Sequence, residues 1–344
     1  MSGSPSQRIN YLLEDSSLFG GVKVILHHAV LLRRLGHRVT VVSRGPRPTW
    51  YPTGDDFVTV AGFTPAEVPQ ADLNVATFWT TLAPASALPT GRAVHFCQGF
   101  EAALNHNRAQ HPEILAAYEA DLPTWTVSPH LAALLGDRFH RSARIVPPGL
   151  EPYWRPRRRL GPARRPRILV AHPFEFTMKG VEPALRAVVR MRERGVDAVL
   201  VRLSQWPLSD AERAIVEPDE FHCHITPPDV AALLGGCDLV LAPSWPSEGF
   251  GLIVLEAMAC GVPVVASDIP SHAAFAAGAA TLVPFDDVEA FASAGEVILT
   301  RRRRWRDRRG AGLAVARGHR EPEISARLDD AVRWTVSRRW AQHA

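Results

Sequence analysis

Strand-like and helix-like segments alternate twice along this chain, and that double alternation constrains the fold more than any other feature. The first series runs INYLLE (9–14), VKVILHHAVLLRRLG (22–36), RVTVVS (38–43), DLNVAT (72–77), RAVHFC (92–97), TWTVS (124–128) and ARIVP (143–147). The apolar spacing over 22–36 is helical and ends at Gly36, a residue suited to closing a helix. Residues 150–166, LEPYWRPRRRLGPARRP, interrupt the pattern with prolines and arginines, which read as an inter-domain linker. A second series follows: RILVAH (167–172), the amphipathic VEPALRAVVRMRERG (181–195), AVLVRLS, a helix near 209–216, FHCHIT, PDVAALLGG, DLVLAPS, a helix over 251–260 and VPVVAS. Strands alternating with helices of this length predict βαβ units and parallel sheets. The expected architecture is α/β, two Rossmann-like domains facing a central cleft. The expected boundaries are an N-terminal domain over 1–155, a C-terminal domain over 156–320, and a C-terminal helix over 321–344 that returns toward the first domain.

Composition narrows the class. No apolar stretch of the 344 residues approaches the roughly 20 needed to span a bilayer, and MSGSPSQRIN does not read as a signal peptide, so the expected location is cytoplasmic. Cys97, Cys223, Cys237 and Cys260 are scattered without paired spacing, which points to neither a zinc site nor a disulfide framework. Arginine supplies nearly all the positive charge, and heavy arginine use hints at a bacterial source. Lys23 and Lys179 are the only lysines, one beside Gly20-Gly21 and one immediately before Gly180.

The chemistry concentrates in PSEGFGLIVLEAMACGVPVV (246–265). Glu256 lies within an otherwise apolar helix, where an unpaired charge is costly. Glu248 lies in the loop leaving a predicted strand, where ligands of open α/β sheets bind. Gly249 and Gly251 allow close approach of a ligand to free backbone amides. An ionised carboxylate only accepts hydrogen bonds, which suits the vicinal hydroxyls of a ribose or hexose. On the residues alone a second reading stands: Glu256 in a buried ion pair with an arginine, and Glu248 on an ordinary surface loop.

SEGFGLIVLEAMACGVPVVAS resembles the signature of the family 4 retaining glycosyltransferases, two glutamates separated by seven residues, found in enzymes of the GT-B fold. EDSSLFGGVKVILHHAVLLRRLGHRVTVVS resembles the family's N-terminal glycine loop, helix and strand. IVPPGLEP and ITPPDVAALLGGCDLVLAPS match in the same order, and the similarity is weakest between residues 45 and 125. The resemblance implies that Glu256 holds the ribose hydroxyls of a nucleotide. Glu248 would meet hydroxyls of the transferred sugar, with the amides of Gly249, Phe250 and Gly251 nearby. It places Lys179 on the donor diphosphate, where a compact ammonium stabilises the charge that develops as the anomeric bond breaks, and Gly20 and Gly21 in a loop approaching the phosphates. One departure is plain: the arginine the family commonly carries shortly before the lysine is absent from VAHPFEFTMK, where His172 stands instead.

Glu101, in the loop after RAVHFC, is a candidate to orient an acceptor hydroxyl, against the alternative of a surface residue; Gln98 shares that loop. Lys23 receives no role and fits a helix surface. His27 and His28 read as packed or exposed helix residues, and His222 and His224 flank Cys223 without further ligands. No metal or cofactor is expected, because Asp55-Asp56 and Asp286-Asp287 are adjacent pairs, not the spaced pair of metal-dependent transferases. The arginine runs at 157–159 and 301–304 lack a nucleic-acid-binding module, so they read as solvated faces or a peripheral contact with anionic lipid. The resemblance therefore implies a transferase that takes a nucleotide sugar to a hydroxyl acceptor: a sugar, a lipid-linked glycan or a small molecule. The rivals are a sugar-nucleotide epimerase or phosphorylase on the same scaffold, and a nucleotide-sugar-binding protein without turnover.

Overall fold

A computed structural model describes residues 5–337 of the chain. The chain divides into two compact units: the first runs to Gly149 and resumes at Arg320, and the second spans Leu150–His319.

The first unit contains β1 (Arg8–Leu13), α1 (Gly20–Arg34), β2 (Arg38–Ser43), β3 (Phe57–Thr59), β4 (Leu73–Ala76), α2 (Trp79–Ala87), β5 (Arg92–Cys97), α3 (His111–Tyr118), β6 (Thr124–Thr126), α4 (Pro129–Phe139) and β7 (Ala143–Ile145). Its strands pair in parallel in the order β3-β2-β1-β4-β5-β6-β7. Helices cover such a sheet on both faces, so its inner strands are nearly continuous apolar runs. Asn10, buried in β1, is satisfied by an amide hydrogen bond to Asn74 of β4 at 3.0 Å. Helix α1 buries the face carrying Val24, Ile25, Leu31 and Leu32, and Gly36 follows it at φ +94. Lys23 is also buried, at 5% exposure, which corrects its assignment to the helix surface. His27 and His28 are packed residues, His28 lying 5.0 Å from the Phe96 ring.

The second unit contains β8 (Arg167–Ala171), α5 (Val181–Glu193), β9 (Val199–Ser204), α6 (Asp210–Arg213), β10 (Glu220–Cys223), α7 (Pro227–Leu234), β11 (Leu239–Ala242), α8 (Leu252–Ala259), β12 (Val264–Ser267), α9 (Pro270–Ala276), β13 (Thr281–Val283), α10 (Val288–Thr300) and α11 (Arg302–Arg317). The strand order is β10-β9-β8-β11-β12-β13, again parallel throughout. The chain therefore leaves β8 toward β9 on one side and returns to place β11 on the other. Beyond the carboxyl ends of two such strands lies the crevice in which open α/β sheets bind ligands. The core beneath joins Ile168, Val170, Leu185, Met191, Leu241 and Trp305.

Two sequence expectations fail here for physical reasons. Residues 150–166 are laid onto the second unit and are not a loose linker. Trp154 is buried, Arg159 pairs with the buried Asp238, and Arg302, Arg306 and Arg309 donate to the carbonyls of Leu160 and Arg157. Backbone carbonyls left free by an irregular segment are satisfied by guanidinium groups of α11, so part of both arginine runs is structural. The helix expected near 209–216 is only the single turn of α6, because Ile215 and Val216 leave it to pack against the core.

Helix α12 (Glu321–Ser337) belongs to the first unit, where Trp125 Nε1 donates to Thr335 Oγ1 at 3.0 Å. Residues 338–344 of the expected C-terminal helix lie outside the described residues.

Candidate functional site

The two loops that leave β8 and β11 are fastened to each other. After β8 the chain turns through His172, forms a 3-10 turn at Thr177–Lys179, and enters α5 through Gly180. Gly180 has φ +63, and a Cβ there would stand 2.1 Å from the carbonyl oxygen of Pro243, so only glycine lets the two loops approach this closely. The Trp245 amide donates to the carbonyl of Met178 at 2.8 Å and completes the fastening. This brings Lys179 Nζ within 2.6 Å of Glu248 Oε2. Glu248 is buried at 7% exposure, so it is not an ordinary surface-loop residue.

The electrostatics follow from that burial. Burial on its own would raise the Glu248 carboxyl. The charge and hydrogen bond of Lys179, with smaller contributions from His172 and His272, outweigh it and hold Glu248 at about 2. His172 is pushed down to about 3 by burial and then by Lys179, against the opposing pull of Glu248. His272 is also lowered, chiefly by burial. The His272 ring faces the carbonyl of Ser267 at 3.0 Å through Nδ1; a carbonyl only accepts, so Nδ1 carries the proton. Its buried Nε2 has no hydrogen-bond partner among the described residues and lies against Gly251, whose Cβ position would be 2.6 Å away. Gly251, at φ +94, opens helix α8.

Gly249 and Phe250 are buried in the same loop as Glu248, and Phe250 stacks on Phe275 with centroids 4.4 Å apart. Glu256 is buried at 8% exposure in the middle of α8, a helix whose residues 253–259 are all buried. Lys179, Glu248 and the Gly249–Gly251 loop thus come together at the carboxyl edge of one sheet.

The other candidates belong to the first unit. Gly20 and Gly21 begin α1, and the Gln98 side-chain amide donates to the Gly21 carbonyl at 3.2 Å. Glu101 opens a 3-10 turn after β5 and is buried, which removes its surface reading. Burial lifts its carboxyl to about 7, against a hydrogen bond from Tyr118 OH that opposes the rise. Tyr118 also lies edge-on to the fully buried His95, at 5.1 Å.

His272, Tyr118 and Arg202, whose guanidinium pairs with the buried Glu212 of α6, were not singled out from sequence. For Arg202 a signal existed: it is the one charge in AVLVRLS, the same pattern that drew attention to Glu256. Among the described residues no group of three or more His, Cys, Asp or Glu is arranged to hold a metal ion, and no helix is long and apolar enough to cross a membrane.

Comparison with known proteins adds to this geometry. Residues 165–301 match the family Glycosyl transferases group 1. A D-inositol 3-phosphate glycosyltransferase of Arthrobacter sp. (strain FB24) is 34% identical over 143 residues, 36% of this chain and 34% of that one. A GDP-mannose-dependent alpha-(1-6)-phosphatidylinositol dimannoside mannosyltransferase of Mycobacterium tuberculosis (strain ATCC 25177 / H37Ra) is 36% identical over 121 residues, 33% of this chain and 32% of that one. The matched segments span about a third of those curated relatives. Among solved structures, WaaG, a glycosyltransferase involved in lipopolysaccharide biosynthesis, superposes with a TM-score of 0.74 at 15% identity, covering 96% of this chain and 100% of that one. Anabaena Alr3699/HepE in complex with UDP-glucose gives 0.74 at 14% identity, covering 95% and 99%. The chain shares the two-unit α/β fold of these solved structures.

Proposed function

We propose that this protein is a retaining glycosyltransferase of the family 4 type that moves a hexosyl or deoxyhexosyl group from a nucleotide-diphosphate donor to a hydroxyl acceptor. The observation that carries the reading is the Lys179–Glu248 pair, seated where the second sheet reverses its strand order and inside the segment that matches Glycosyl transferases group 1. Several of the similar proteins are named for transfer to inositol phosphates or lipid-linked mannosides, and HepE is described with UDP-glucose, which supports a nucleotide sugar as donor.

Each residue has a defined task in this reaction. Cleavage of the anomeric C–O bond leaves negative charge on the diphosphate, and the Lys179 ammonium stabilises it as it forms. In the free site that ammonium is neutralised by Glu248, so the lysine is already placed and desolvated on one side before the donor arrives. With a carboxyl held at about 2, Glu248 is fully ionised at neutral pH and accepts hydrogen bonds from sugar hydroxyls. Glu256 accepts from the ribose, the Gly249–Gly251 amides meet anionic or hydroxyl oxygens, and Gly20 and Gly21, without side chains, suit a phosphate. Glu101, at about 7, exchanges a proton near neutrality, as a group that orients and deprotonates an acceptor hydroxyl must. The phosphate charge is assigned to Lys179 and backbone amides, and no metal enters the scheme.

The test is a panel of UDP-, GDP- and ADP-sugars, read by thermal shift and by release of the nucleoside diphosphate. A donor bound well above its Kd raises the melting temperature by mass action. Lys179→Met should slow release by about 10²–10³-fold, the usual cost of losing one transition-state donor. If no nucleotide sugar stabilises the protein, or Lys179→Met releases nucleotide at the wild-type rate, the reading fails. The anomeric configuration of the product, read by NMR, decides retention.

A further inference from the structure

His172 is the first residue past β8, and its backbone lies in the left-handed region at φ +85. Side chains larger than glycine's hydrogen are disfavoured there. The other described non-glycine residues with positive φ, His140, His224 and Asp286, are all exposed, where such a turn has room to relax; His172 is partly buried beside Lys179 and Glu248.

A dedicated device holds this turn. Arg202 of β9, fully buried, donates to the carbonyls of Val170 and His172, the latter at 2.9 Å, and also to that of Leu203 at 3.2 Å. Its Nε pairs with Glu212 of α6, which is itself 2% exposed. Removing two charges from water is expensive unless their hydrogen bonds are nearly all made, so this pair fixes the exit of β8 rigidly. The imidazole thus presented makes no hydrogen bond to another described residue, yet neither of its nitrogens is sealed from solvent. Its charged and titratable neighbours are Lys179 on the 3-10 turn, Glu248 on the β11 loop and Arg202 on β9, with His272 of α9 facing the same Lys179 and Glu248. Strain kept in place by a buried ion pair at a strand's carboxyl edge is the pattern of a residue held for a ligand.

We propose that His172 is a second contact for the diphosphate of the donor, giving an imidazole N–H to a phosphate oxygen beside Lys179. The chemistry fits the position, since a cation and a neutral donor at the two ends of the β8–α5 loop make a two-point grip on an anion with little added repulsion. The proposal rests on the donor-site reading above and adds a residue to it.

Isothermal titration of the full chain with UDP, GDP and ADP, and thermal unfolding of the same variants, test it. His172→Gly relieves the left-handed strain, so its melting temperature should equal or exceed the wild type's, while the Kd for the best-binding diphosphate rises about tenfold. His172→Asn tolerates the same backbone and keeps an N–H donor, and should recover most of the affinity. Wild-type affinity in His172→Gly, while Lys179→Met binds weakly, overturns the role of His172 and leaves the donor site standing. Failure of the wild-type chain to bind any of the three diphosphates overturns both. A His172→Gly protein that loses both affinity and melting temperature, without rescue by asparagine, would make the residue structural and would also refute the proposal.

Discussion

Lys179→Met isolates the energetics of the central ion pair. In the wild type, Glu248 is held at about 2 against an ordinary 4.5. At about 1.4 kcal/mol per pH unit, that difference corresponds to about 3 kcal/mol of folding stability. Because the folded-state value is depressed, this stabilisation is present above about pH 4.5 and is lost as the pH falls toward 2. Methionine keeps most of the side-chain stem and removes the charge, leaving Glu248 buried with burial as its dominant influence. Its carboxyl then rises above the ordinary range, and ionising it becomes a cost of folding. The variant should be less stable at pH 7 by at least about 3 kcal/mol, the low end for a broken buried pair because the Lys179 side chain is 21% exposed. The deficit should shrink as the pH falls below about 4.5, where the wild type gives up its gain and the variant no longer holds an unpaired charge. Urea unfolding followed by tryptophan fluorescence at pH 7 and pH 4 measures both arms. A deficit under about 1 kcal/mol at pH 7, or one equal at the two pH values, would refute the account of Glu248. Lys179→Met with Glu248→Gln should recover most of the loss, since both charges then leave together.

Three further outcomes follow from other parts of the structure. Glu101 is raised to about 7, so its contribution favours folding below about pH 4.5 and is lost as the pH rises through 7; Glu101→Gln should therefore gain stability relative to wild type, by about 2 kcal/mol, on going from pH 5 to pH 8 in urea unfolding. If Glu101 serves the acceptor, the same variant loses the acid limb near pH 7 from kcat/KM. Gly180→Ala places a Cβ 2.1 Å from the Pro243 carbonyl in a left-handed turn, and should cost at least about 2 kcal/mol and loosen the Lys179–Glu248 pair, both visible in thermal unfolding and donor titration. Arg202→Met strands the buried Glu212 and should cost about 3–5 kcal/mol, while Arg202→Met with Glu212→Leu returns most of it, as measured by urea midpoints.

What the sequence disclosed and what it hid divide along a physical line. Strands such as β8 and β11 were legible because four or five apolar residues bounded by glycine, proline or charge have few other destinations. β3 and β13 went unread, and α6 was overdrawn because the apolar Ile215 and Val216 serve the core without continuing a helix. The candidate site divides in the same way. A buried charge announces itself locally, as Glu256 does in its apolar run, and the same test applied to Arg202 would have found the clamp behind His172. Its partner does not, because pairing is a property of topology. Lys179 and Glu248 are 69 residues apart, and they meet because β8 and β11 are neighbours in the sheet, with Gly180 small enough to let the following loops touch. The backbone of His172 is hidden for a further reason: the guanidinium that fastens its carbonyl lies 30 residues away in the sequence. A charge in an apolar run therefore shows from sequence that a partner must exist, whereas the strand order decides which residue it is and what chemistry the pair can perform.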